Sequence, residues 1–591
     1  MAPQPLPPGT TGVVTARSAL VLAPHFDDEV LGCGGLLAQL AAAGARVRVL
    51  FLSDGSGGIE AVADRPAYAA RRRAEAARAT ATLGVADLGF LALRDGELEL
   101  AVEELARAVA TELAGTRPEL VLVPSPLETT GDHRSAFAAL HRVLSRVREG
   151  DELASIARSL AVLAYEINHP AYPDLLVDVS AQLPLLESAM AAYASQEERH
   201  PYLAAALGLR AYRAHTLASS ASAVEAYRRL SASDFVTRSL SGLTRELGGV
   251  WDPPAVTEGP FISVVVRTRD RPAQLAEALA SLAASSYRRF ELVLVNDGGH
   301  SPEIASDLGL TLRRVELAEN RGRAEAANAG IAAATGDAVA FLDDDDLVER
   351  EHLATLAGLA AGSGARVVYT DAGVGIYEPD AQRGYRCVER RLPYSRDFDP
   401  ELLLVDNYIP FHTLLMERAL LLETGPLDRE LPIFEDWDLL VRLAERTRFL
   451  HLAQVTCEYR HFRSGADHAL GERGRERGDF AALKSRVLAK HARRLTPDLV
   501  ARVVDRLRAE AVAKGEELAA TSTADRRAID ELRGEAARRS ADLARHQAVV
   551  EDQTAHLGRT YGEIERLHRL VQEMRSTRAW RMHEWWQRKG R

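Results

Sequence analysis

The stretch SALVLAPHFDDEVLGCGG, from Ser18 to Gly35, decides the reading of the first half of the chain. Its opening residues carry no charge, the composition of a strand buried on both faces of a parallel sheet. The strand runs out at Pro24, and His25, Asp27, Asp28 and Glu29 follow at once. Side chains at that edge of a parallel sheet face the crevice where α/β proteins bind ligands. Crowding carboxylates there is costly unless a cation offsets their charge. A His and a carboxylate make a partial zinc set, and a catalytic zinc takes a third protein ligand while keeping one position open for water. Gly131-Asp132-His133, after the strand-like ELVLVPS (119–125), offers the third.

Outward from this stretch, apolar runs such as RVRVLFLS (46–53) alternate with Ala/Arg/Glu-rich runs such as LLAQLAAAG (36–44) and AYAARRRAEAARATATLG (67–84). That alternation predicts an α/β fold with a parallel sheet over 18–227, preceded by a tail, 1–17. Residues 228–260 end in WDPPAVTEGP, whose prolines and glycine predict a linker between two separately folded cores. A second alternating region, 261–465, contains ISVVVRTRDRP (262–272), FELVLVNDGG (290–299) and AVAFLDDDD (338–346). The remainder, 466–591, is helical in composition. There Ile529, Ala536, Leu543, Val550, Leu557, Ile564 and Val571 recur every seven residues. One clean seam predicts a partly coiled-coil segment or a helical hairpin able to self-associate, against a solvated helix packing on its own domain. The basic end carries Trp580, Trp585 and Trp586, a composition suited to peripheral membrane contact or to packing on the protein itself.

A chain of 591 residues is too long for a single core. Its formal net charge of −11 argues against nucleic acid as the partner. Three scattered cysteines imply a reducing compartment. The N-terminus has no basic and apolar leader pattern and no apolar run spans a bilayer, so the expected location is cytoplasmic, with peripheral contact at the inner face of the membrane as the variant.

Residues 18–227 resemble the PIG-L/LmbE-like deacetylases, whose marks are a HPDDE-type motif after the first strand and a later HPDH-type motif. Supporting pieces are LGCGG (31–35), Ser53-Asp54-Gly55, Arg72 with Glu75, Arg94-Asp95-Gly96 and Tyr193-Ala194-Ser195-Gln196. The resemblance implies that His25, Asp28 and His133 bind Zn²⁺ and that Asp27 is the general base. Two positions depart from the pattern. Phe26 stands where the family has Pro, and Thr130 where it has a His that stabilises the tetrahedral intermediate or protonates the leaving amine. His169 is the substitute that the sequence offers.

From Phe261 the chain resembles the family-2 glycosyltransferases of GT-A fold. The match rests on VNDGG (295–299), NRGRAEAANAGI (320–331), the run Asp343 to Asp346, and FEDWDLL (434–440). It implies a Mg²⁺ or Mn²⁺ ion on Asp343 and Asp345, a donor pocket drawing on Thr268, Asp270, Asp297, Asn328 and Asp344, and Asp436 as the base on the acceptor hydroxyl. The two resemblances together imply a bifunctional enzyme of polysaccharide or glycoconjugate assembly, acting on a nucleotide-sugar donor and an N-acetylated sugar acceptor. The competing readings are an active transferase beside an acceptor-recruiting carbohydrate-binding module, and a hydrolase for an antibiotic glycoside or a thiol precursor.

Overall fold

The structure is a computed structural model describing residues 10–57, 64–147, 150–215, 220–304, 308–380, 384–463 and 479–513, with Arg566 and Arg569. The heptad seam and the tryptophan-bearing end lie outside the described residues. Met1–Thr496 form one compact unit and Pro497–Arg591 a second, of which 497–513 is helix. Among the described residues no helix is long and apolar enough to cross a membrane.

The first sheet comprises β1 (Thr10–Thr11), β2 (Ser18–Ala23), β3 (Arg46–Ser53), β4 (Asp87–Leu93), β5 (Leu120–Pro124), β6 (Ala161–Tyr165), β7 (Leu175–Asp178) and β8 (Val224–Ser231). Their order is β1-β7-β8-β6-β5-β2-β3-β4, parallel except where β8 runs against β6 and β7. Every residue of β2 is buried, as a strand with helices on both faces requires. Its odd and even side chains enter separate cores, Val21 with Tyr165 and Tyr193, Leu20 and Leu22 with Phe137 and Phe235.

The second sheet comprises β9 (Ile262–Thr268), β10 (Phe290–Asp297), β11 (Leu312–Leu317), β12 (Ala338–Asp343), β13 (Leu347–Val348), β14 (Val367–Asp380), β15 (Gly384–Tyr394), β16 (Leu414–Glu417) and β17 (Leu450–Phe462). The order is β11-β10-β9-β12-β16-β14-β17-β13, with β15 paired to β14. The half from β11 to β12 is parallel, and β16 runs antiparallel between β12 and β14. Two α/β domains with a helical C-terminal part are therefore present, with mixed rather than purely parallel sheets.

The segment expected to be a linker differs most from expectation. Strand β8 runs through 227 to Ser231, and two short helices follow, Ala232–Thr237 and Leu240–Glu246. Phe235, Leu240, Leu243 and Leu247 are buried in the first domain's core. The Ala232–Thr237 helix also packs on β15 and β17 of the second domain. Polar contacts close the junction: Arg245 to Glu349 at 2.8 Å, Ser241 to Glu351 at 2.6 Å, Arg390 to Glu246 at 3.0 Å. An amphipathic pattern confined to six or seven residues is too short to stand out from a polar loop.

Candidate active sites

The first site gathers on the C-terminal ends of β2, β4 and β5. His25 Nδ1 lies 3.2 Å from His133 Nε2 and 3.3 Å from Asp28 Oδ2, and His133 Nε2 lies 3.1 Å from both Asp28 oxygens. The structure thus brings together the three residues expected to hold zinc, with ligand atoms close enough to share one ion. The far nitrogen of His25 lies 3.2 Å from Asp132 and 3.4 Å from Asp95. Asp132 is fixed in turn by the backbone N–H groups of Gly96 and Leu98. This carboxylate–imidazole arrangement orients a ligating His. Burial disfavours charge on His25, yet Asp132 and Asp28 outweigh it and hold the ring's pKa well above its ordinary value. A pocket that stabilises an imidazolium among carboxylates fits a divalent cation.

Asp27 sits beside this set with φ 138°, a region that non-glycine residues rarely occupy and one characteristic of functional strain. Its backbone N–H donates to Glu29, which accepts from the Tyr193 hydroxyl at 2.5 Å. Burial pushes the Asp27 carboxyl up to about 7, against the nearby Arg72 guanidinium 3.6 Å away and with help from Asp28. Burial likewise raises Asp28, but the two imidazoles more than reverse it and hold this carboxyl well below the usual range. Neighbours in sequence are thereby driven to opposite proton affinities, as two different roles require.

The supporting motifs converge on the same centre. Arg72 donates to the carbonyls of Phe26 and Gly55, and Ser195 bonds Glu75 through both its N–H and hydroxyl. Phe26 is fully buried with Phe51 and Phe90, rings 4.9 and 5.6 Å away. It packs where a side chain on Gly55 would collide with it. Gly32 is required for a similar reason, since a Cβ there would meet the Tyr165 ring at 2.2 Å.

Thr130 caps the Gly131–Arg146 helix, its hydroxyl accepting from the His133 N–H at 3.4 Å. A helix cap is thus the contact made at the position where the resemblance expects a His. His169 is exposed, on a loop fixed beside the site. Glu128, which the sequence reading missed, accepts from the N–H groups of Ile167 and Asn168 at 2.7 and 3.0 Å and lies 3.7 Å from His133 Nδ1. Arg213 and Glu166 brace the loop from its other side. Glu128 carried no signal beyond being an acidic residue shortly before Asp132.

The second site gathers on the ends of β9, β10 and β12. Register pairs Asp343 directly with Arg267, and Arg267 donates to Asp343 at 2.6 Å. Thr268 donates to Asp344 at 2.8 Å, and Arg271 lies 3.1 Å from both Asp344 and Asp345. Burial raises Asp343, but Arg267 and Arg323 overcome it and leave this carboxyl far below its usual range. Burial and the neighbouring carboxylates push Asp344 up to about 6 and raise Asp345 and Asp346. Such crowding fits a divalent cation. Asp436, second residue of the Glu435–Ala444 helix, lies beside these groups, its carboxyl raised to about 6 by burial first and by Glu435 next.

Three residues expected at the donor pocket make contacts within the protein. Asn328 uses both halves of its amide on the backbone of Leu427, at 2.9 and 2.8 Å, pinning its helix to the segment before Glu435. Asp297 accepts from the N–H groups of Arg321 and Gly322 with its two oxygens. Asp270, at φ 52°, accepts from the His300 N–H and props the glycine turn after β10. Short polar side chains at strand ends serve loops as readily as ligands. Arg267 and Arg323 were not singled out as site members, although a charge at the end of ISVVVRT was a visible signal, and Glu435 entered only through the motif FEDWDLL.

A family model for GlcNAc-PI de-N-acetylases (PIG-L) matches residues 20–144, and one for glycosyl transferase family 2 matches residues 263–422. The chain is 30% identical over 190 residues to the diacetylchitobiose deacetylase of Thermococcus kodakarensis, covering 30% of this chain and 70% of that one. It is 27% identical over 221 residues to the glycosyltransferase YwdF of Bacillus subtilis, covering 37% and 81%. Among solved structures, the N,N'-diacetylchitobiose deacetylase of Pyrococcus horikoshii matches at 23% identity, 37% and 86% coverage and a TM-score of 0.32. Two longer curated relatives are spanned over only 22% and 18% of their lengths. The chain belongs to the PIG-L deacetylases through its first domain and to the family-2 glycosyltransferases through its second. Both are enzyme families, and their pairing makes this a bifunctional enzyme of carbohydrate biosynthesis.

Proposed function

We propose that the first domain removes the acetyl group from an N-acetylated sugar and that the second transfers a sugar from a nucleotide-sugar donor with inversion. The observation that carries the first half is the convergence of His25, Asp28 and His133, with Asp27 strained beside them and raised in proton affinity. These three residues would hold Zn²⁺, which on binding lowers the pKa of its water towards about 7 and polarises the amide carbonyl. Asp27 takes the water proton as the C–O bond forms. Asp132 and Asp95 hold His25 in orientation, and Arg72 balances the charge of Asp27. The C–N bond breaks and the amine leaves with a proton, for which His169, on its braced loop, is the donor.

In the second domain Asp343 and Asp345 would hold Mg²⁺ or Mn²⁺, which neutralises charge on the donor diphosphate. Asp436 removes the proton of the acceptor hydroxyl as its oxygen attacks the anomeric carbon. Thr268 fixes Asp344, and Asp297 and Asp270 shape the donor loop through the backbone.

The test is acetate release from N-acetylglucosaminyl substrates, alongside metal content and nucleotide-sugar turnover, on the purified chain. Acetate release that disappears in Asp27→Asn while zinc is retained supports the hydrolase. A zinc-loaded wild type that binds N-acetylated sugar without releasing acetate would instead make the first domain an acceptor-recruiting module.

A further inference from the structure

Two arginines bridge the same two carboxylates in the second domain. Arg267 donates to Asp343 at 2.6 Å and to Glu435 at 3.1 Å. Arg323, first residue of the Arg323–Ala333 helix, donates to Glu435 at 3.1 Å and lies 3.6 Å from Asp343. Either arginine alone would keep those carboxylates paired. Their settings differ, however. The Arg267 side chain is 7% exposed and is further fixed to the Arg323 carbonyl, whereas the Arg323 side chain is 34% exposed. Arg271, which holds Asp344 and Asp345, is 25% exposed, and Arg460 is 2% exposed. Arg323 is therefore the most accessible of these four arginines, and both carboxylates it holds are also held by Arg267. The N–H groups of Arg321 and Gly322, just before the helix, are already taken by Asp297, so they cannot meet an incoming anion. Besides Arg271, which Asp344 and Asp345 hold, an incoming diphosphate meets the crowded carboxylates of Asp343 to Asp346, Glu435 and Asp436.

We propose that Arg323 is a clamp for the leaving nucleoside diphosphate, a role that rests on reading this domain as a nucleotide-sugar transferase. On donor binding Arg323 exchanges Glu435 and Asp343 for two diphosphate oxygens, and Arg267 keeps both carboxylates in place. A planar guanidinium suits bidentate phosphate recognition. As the bond between the anomeric carbon and the phosphate oxygen breaks, its electron pair passes to the diphosphate, and the acceptor oxygen replaces it. The acceptor proton goes to Asp436. Arg323 meets the charge that grows on the leaving group.

The experiment titrates inorganic pyrophosphate into the full chain by calorimetry, in EDTA and in Mn²⁺, and measures sugar transfer with the same preparations. Arg323→Ala is expected to weaken pyrophosphate binding in EDTA by about tenfold or more. It should lower kcat by about 10²–10³-fold with acceptor KM unchanged. Its melting temperature should stay near wild type, because Arg267 still bridges Asp343 and Glu435. Arg323→Lys keeps the charge without the fork and should recover part of both losses. Wild-type pyrophosphate affinity in a folded Arg323→Ala protein overturns the clamp, as does a large melting loss with unchanged affinity. Should Arg323→Ala fail to fold, wild-type affinity and kcat in Arg323→Lys overturn it instead. A wild type that binds pyrophosphate in neither buffer overturns the donor-site reading itself, and the clamp with it.

Discussion

The two sites face the same electrostatic problem and meet it with different side chains. In the first, buried carboxylates face two imidazoles whose ligand nitrogens converge on one point. In the second, carboxylates face guanidiniums that are spread along them and fill the space between the Asp343 and Glu435 motifs. Imidazoles can give way to a coordinated ion without leaving the pocket. Arginines, always charged, must change partners when a ligand arrives. The first site thus converges on one point, whereas the second sets its crowded carboxylates among arginines of unequal accessibility, Arg323 more exposed than Arg267.

Removing a convergent ligand should have the largest effect. Asp28→Ala and His133→Ala are expected to abolish zinc retention and reduce acetate release to background, while sugar transfer continues. Metal analysis with both assays checks this, and joint loss of the two activities in a folded variant would erase the contrast between the sites. Next come the bases. Asp27→Asn should keep its metal and lose about 10²–10⁴-fold in hydrolysis, and Asp436→Asn should lose the same range in kcat at near-normal donor KM. An inverted product anomer in wild type goes with that assignment, and retention of configuration would break it.

A smaller effect sharpens the electrostatic contrast. With the Asp436 carboxyl raised to about 6, the base is protonated below that pH, so kcat should fall about tenfold per unit on the acid side. Glu435 raises this group, so Glu435→Gln should move the acid limb to lower pH. A limb that stays in place, or moves up, would show that Asp436 does not report on this pair. The smallest effect is at the junction. Arg245→Ala leaves Glu349 without its ion-pair partner and should cost about 1 kcal/mol. If the compact unit melts cooperatively, calorimetry will show a single transition shifting as a whole. Two separable transitions, only one of them moved, would restore the picture of independent modules.

The sequence by itself determined the chemistry-bearing positions that lie close together or end a buried strand. The cluster of His25, Asp27 and Asp28 is local, and an apolar run such as β2 or β12 ends at a sheet edge by the logic of parallel sheets, so its next residues face the crevice. The partner His133 was reachable because β5 repeats the same pattern. Tertiary structure alone decided the rest. Asn328 and Asp297, expected at the donor pocket, also make loop contacts that no local pattern shows, because a short polar side chain takes whichever backbone group lies within reach. Glu128 stood out by no motif and Arg323 only as one residue of NRGRAEAANAGI, yet they join elements far apart in the chain, Glu128 with the His169 loop and Arg323 with Glu435. The supposed linker became part of the compact unit because Phe235, Leu240 and Leu243 found apolar partners on the Gly131–Arg146 helix and its neighbours. No local pattern specifies such pairings, since their free energy comes from burial and charge compensation between segments that meet only in the folded chain.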